Sequence, residues 1–104
     1  MSTFKSTATR NLGTAETTIY TAIAGTVVIG LNACNIYQSE LPIDVEHKRG
    51  SNNTYILKQF RVGPGETAEL MKGNKIVLEA GDLLVASTAL VNGFDILVSV
   101  LEGV

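Results

Sequence analysis

The sequence predicts an all-β fold: an antiparallel two-sheet β-sandwich, jelly-roll-like or immunoglobulin-like, with an extended N-terminal arm. Three observations carry this. Apolar runs such as Ile76, Val77, Leu78 and Leu83, Leu84, Val85 are too short for helices and end at Gly, Asn or Asp. Such runs recur with turn signals roughly every eight to twelve residues, which corresponds to about seven or eight strands. No segment keeps a helical period of apolar positions over three turns.

Residues 1–14 are rich in Ser and Thr and read as the arm, ahead of a single β-sandwich domain over residues 15–104. Phe4 and Leu12 are the arm's large apolar residues, candidates for anchoring it to a neighbouring subunit or to its own domain. Residues 17–21 are β-branched and aromatic, as a strand requires. After a turn at Ile23, Ala24 and Gly25, residues 26–32 form a near-continuous apolar run, as in a central strand. Gly30 within it marks a bulge or a close approach.

Residues 38–42 read as a loop. Residues 43–48 then alternate, with Ile43, Val45 and His47 inward and Asp44, Glu46 and Lys48 outward. The connection 49–53 tolerates positive φ, and 54–62 returns as the hairpin partner. A turn at 63–66 contains Pro64; residues 67–71 are a short strand or one helical turn, and 72–74 reverse the chain. Segments 75–78 and 83–87 flank the turn at 79–82 as a hairpin or a sandwich corner. Asn92 and Gly93 signal another reversal. In the last strand, 94–101, Leu97 and Leu101 make the second face apolar too, so it is either central in its sheet or covered by a partner chain.

A length of 104 residues is one domain with room for a core. Charged residues make up 17% of the chain, against about 25% in average proteins. A weakly charged surface suits permanent contacts between subunits, unless Thr, Ser and Asn supply its polarity instead. The net charge of −2 removes the electrostatic footprint of a nucleic-acid binder. The cluster His47, Lys48, Arg49 reads as a solvated turn. Cys34 is the single cysteine, so no intrachain disulfide forms; a small buried hydrophobe is its expected role, and a reducing cytoplasm its expected place of synthesis. Residues 1–10 carry no signal-peptide pattern. The stretch 19–33 is too short and polar to cross a bilayer, so no membrane partner is expected.

Reactive constellations are not written into the sequence. His47 reads as structural, and one His with one Cys falls short of a zinc site. Neither a G-x-S-x-G elbow nor an H-E-x-x-H motif occurs, and residues 63–67 have no phosphate-loop lysine. Asp44 and Glu46 share a face as a solvated pair. The reading is therefore of a non-enzyme with no catalytic, cofactor or metal residues.

The ordered series of segments resembles small β-sandwich virion structural proteins of tailed bacteriophages. It comprises residues 16–22, 28–33, 43–45, 62–66, 73–82 and 94–102. The resemblance implies a viral structural protein, most concretely a capsid decoration (cement) subunit located in the virion. Its partners would be itself, as a dimer or trimer, and other virion proteins such as the major capsid protein. Phe4, Leu12, Leu97 and Leu101 are the candidate contact residues. A neck, tail or fibre-attachment subunit is the alternative within the particle. A small ligand- or carbohydrate-binding module is the alternative outside it, and would require a platform drawn from Tyr20, Tyr37, Tyr55 and Phe60. The chain has no Trp and three each of Tyr and Phe, which weighs against sugar stacking.

Overall fold

The computed structural model describes residues 2–103. Among these, nine strands form two packed antiparallel sheets, and no helix occurs. The strands are β1 (Thr3–Leu12), β2 (Thr17–Thr21), β3 (Thr26–Asn35), β4 (Leu41–Arg49), β5 (Asn52–Val62), β6 (Thr67–Glu69), β7 (Ile76–Leu78), β8 (Leu83–Thr88) and β9 (Phe94–Glu102). Sheet A has the order β1-β9-β3-β6, with β7 also on β3; sheet B has the order β2-β8-β4-β5. The expected seven or eight strands become nine because one edge is broken. β6 and β7 occupy successive stretches of β3, separated by the turn at residues 70–75.

The pairings nest. β4 pairs β5, β3 pairs β6 and β7, β2 pairs β8, and β1 pairs β9. The chain is one long hairpin with its tip at β4–β5, wound so that successive pairs alternate between the sheets. This is jelly-roll connectivity. The opening pattern at residues 76–85 is accordingly a sandwich corner, with β7 in sheet A and β8 in sheet B.

The core lies between the sheets. Alternation points Val28, Leu31, Phe94, Ile96, Val98 and Val100 inward from sheet A, against Ile19, Ile43, Val45 and Leu84 from sheet B. Two buried polar groups are satisfied locally. Asn35 Nδ2 donates to the carbonyls of Val62 and Ser39 at 2.8 and 2.9 Å, while its Oδ1 accepts from the Tyr37 amide. Glu102 accepts from the Tyr20 hydroxyl and pairs with Lys5 Nζ at 3.0 Å.

The N-terminal segment is extended, and it is docked. Residues 3–12 are the edge strand of sheet A, in register with β9. The last strand is central, between β1 and β3; its inner face packs in the core, while Leu97 and Leu101 stand on the outer face of sheet A. Gly30 follows a bulge: the β3–β9 register slips between Val28 and Gly30, and Ile29 is the extra residue. Close packing is not the reason for the glycine, since an added Cβ would meet Ser99 at an ordinary 3.7 Å.

Candidate functional site

The outer face of sheet A presents apolar side chains to water. Register sets Val77 beside Val27, Val27 beside Leu101, and Leu101 beside Phe4. These four residues form one row across β7, β3, β9 and β1, roughly 14 Å long at the usual strand spacing. Phe4 is 74% exposed and Val77 67%, while Val27 and Leu101 between them are half-buried. The bulge pushes Ile29 onto the same face, 43% exposed. Two rows along, Leu97 stands between Asn32 and Ala8, also 43% exposed. Phe4, Ser6, Ile29 and Ser99 line one shallow hollow on this face. Ala8, Arg10, Asn32, Cys34, Asp95 and Leu97 line another, of about 330 Å³.

Three of the four candidate contact residues thus share one surface: Phe4, Leu97 and Leu101. Leu12 does not join them; it is 2% exposed and belongs to the core. Even-numbered residues of β1 face outward up to Arg10, so simple alternation would send Leu12 outward too. The β1–β9 register shifts between Thr9 and Leu12, and Asn11 adopts a left-handed φ of 59°. That irregularity turns Leu12 inward beside Phe94. Cys34 is likewise displaced from its expected burial: it is only partly buried and lines a hollow on the outer face of sheet A.

Sequence reasoning missed Val27, Ile29 and Val77 as members of this face. Each reads as part of an apolar run, and only the pairing of β3 with both β7 and β9 shows which side it occupies.

The outer face of sheet B is different in kind. Asp44, Glu46 and Lys48 of β4 share it with Tyr55 of β5. Lys48 Nζ hydrogen-bonds Glu16, and this contact lowers the carboxyl pKa of Glu16 and raises that of Lys48. Burial and the neighbouring Glu16 push Glu46 up. At one end of the sheet, Asp82 is 2% exposed and fully engaged. It accepts from Arg49 Nε at 2.9 Å and Nη2 at 2.7 Å, lies 2.9 Å from His47 Nε2, and accepts from the Glu79 amide at 2.9 Å. The Arg49 guanidinium, against the opposing effect of burial and with help from His47, holds this carboxyl well below the usual carboxylate range.

The cluster clamps the end of β4 to the corner turn, where Gly81 adopts a φ of 94° that favours glycine. The hydrogen bond recorded for the His47 ring goes to Asp82. The cationic triplet expected to be a solvated turn is thus half structural. Among the described residues no group of three or more His, Cys, Asp or Glu is placed to hold a metal ion.

The four rings considered for a ligand platform do not converge. Tyr20 is buried, Tyr37 and Phe60 pack against the core, and Tyr55 alone stands exposed. No family model, curated protein or solved structure matches this chain.

Proposed function

We propose that the chain is a structural subunit of a tailed-bacteriophage virion, a capsid decoration (cement) protein that self-associates and lies on the particle surface. The observation that carries this reading is the uncovered apolar row Val77, Val27, Leu101 and Phe4 on sheet A. A contiguous exposed apolar row rimmed by polar residues is a candidate interaction surface. Its burial supplies several kcal/mol of gross driving force at about 25 cal/mol per Å2, before association costs. A second support is architectural. Jelly rolls recur in viral capsid proteins, although fold alone does not assign function. The partner fitted by this face is a weakly charged protein surface such as that of the major capsid protein, because the row itself carries no charge.

The test is co-sedimentation of the purified chain with undecorated capsids. Saturation at one copy or oligomer per capsid lattice position supports the decoration role. Saturation at a single ring's worth of copies redirects the reading to a neck or tail subunit. A chain that stays in the supernatant at every ratio overturns both.

A further inference from the structure

We infer that β1 is a pairing edge for a second copy of this chain, β1 against β1 in antiparallel order across a two-fold axis. Among the described residues the sandwich has four free edges: β1 and the broken strand β6/β7 in sheet A, β2 and β5 in sheet B. Exposed edges are normally blunted by bulges, brevity or charge. Three of these are. β5 has two register shifts against β4, a left-handed Gln59 at φ 54°, and exposed Lys58 and Arg61. β6 and β7 are three residues each. β2 has five residues and a register shift between Thr18 and Tyr20.

β1 is the exception. From Thr3 to Thr9 it pairs with β9 without a shift, and it contains no proline. Its far side therefore offers a regular row of backbone donors and acceptors about 23 Å long. Lys5 is the one charged residue in that run, and its ammonium is tied to Glu102 at 3.0 Å. Water satisfies this row in the free chain, and another strand can replace that water along its whole length.

The occupant is a second copy because the segment complements itself. Two-fold pairing that keeps outer faces together must place residue i opposite j with an even sum. Centred on Thr7, it sets Thr7 against Thr7, Lys5 against Thr9, Ser6 against Ala8 and Phe4 against Arg10 of the second copy. No like charges meet, a Thr–Thr pair sits at the axis, and a guanidinium reaches the exposed Phe4 ring. Centring on Lys5 instead would oppose two ammonium groups. The Thr7-centred arrangement joins two copies of sheet A edge to edge, with the apolar row of each copy ending against Arg10 of the other. It deepens the structural-subunit reading and rests on it for the premise of self-association.

Light scattering on the eluting full chain should give a dimer. Ser6 and Ala8 are both exposed, so lysines there stay in water in the free monomer. S6K/A8K places lysine opposite lysine twice in the dimer, and should weaken dimerisation at least about tenfold without changing thermal unfolding at concentrations too low for the dimer. S6E/A8K places glutamate opposite lysine twice and should restore the dimer. Amide exchange on the unaltered chain needs no variant: alternate amides over residues 3–9 should slow as concentration rises.

A monomeric unaltered chain, an S6K/A8K chain that still dimerises, an S6E/A8K chain that does not, or β1 exchange independent of concentration overturns the inference. Capsid co-sedimentation is read separately. A monomer that still binds capsids sinks the edge pairing alone, whereas a dimer that ignores capsids sinks the decoration role alone.

Discussion

The two outer sheet faces are built from the same alternation and solve opposite problems. On sheet B the outward positions carry charge, and Lys48 pairs with Glu16 and Arg61 with Glu40 at 3.4 Å, while at the end of the sheet Arg49 pairs with the buried Asp82. On sheet A the outward positions include Phe4, Val27, Leu97 and Val77, and Phe4 and Val77 stay largely exposed among the described residues. A face whose polar groups are paired internally acts on folding stability. A face whose apolar groups are left in water acts on association. Breaking the charge contacts of B should therefore move the unfolding transition, and substitutions on the apolar row of A should move the oligomer or capsid equilibrium.

The largest effect is expected where sheet A's edge strand leaves its outer face for the core. Leu12→Ala should cost about 2–5 kcal/mol of stability, the range for a buried leucine, read from the urea midpoint at constant slope. A small loss would mean that Leu12 is not the inward residue it is taken to be, and that β1 belongs wholly to the outer surface. Next comes the clamp on sheet B. Asp82→Ala should cost about 3 kcal/mol, because a buried carboxylate with four donors is removed. Arg49, half-exposed, can turn to water, which keeps the loss at the low end for a broken buried pair.

Acid should reproduce part of that loss. Asp82 has a folded pKa below its unfolded value of about 3.9. Its stabilisation is fully present above that value and disappears as pH falls from there toward the folded pKa. Glu102, lowered by the Tyr20 hydroxyl and Lys5, adds in the same direction. Thermal melts should thus lose stability steeply below about pH 4, and Asp82→Asn should flatten that limb. An unchanged acid limb in Asp82→Asn would remove the clamp from the account.

The strands were largely legible in the sequence because period-two alternation and turn residues are local signals. The 43–48 and 54–62 hairpin and the bulge at Gly30 could be read from short windows. The face on sheet A was legible only in part. Leu97 and Leu101 stood out through alternation within one strand, but Val77 and Val27 meet across fifty residues of sequence, and only register brings them together. Leu12 was left open between a neighbour and its own domain because nothing local announces the slip at Asn11, a residue that tolerates left-handed backbone but does not demand it. Asp82 was hidden for a related reason: its partners His47 and Arg49 arrive from a strand more than thirty residues away.

The smallest expected change in stability is the most informative about function. Phe4→Ser removes a ring that is 74% exposed, so the unfolding free energy should stay within about 0.5 kcal/mol of the unaltered chain. Tyr55→Ser, on the outer face of sheet B, removes a ring that is 50% exposed and serves as the matched control. If the faces differ as argued, only Phe4→Ser weakens self-association and capsid binding, and both variants melt alike. The ring at Phe4 ends the apolar row and would face Arg10 of a second copy, so it contributes area to either contact. Equal association in the two variants would mean that the apolar row on sheet A is no more a contact surface than the charged face behind it.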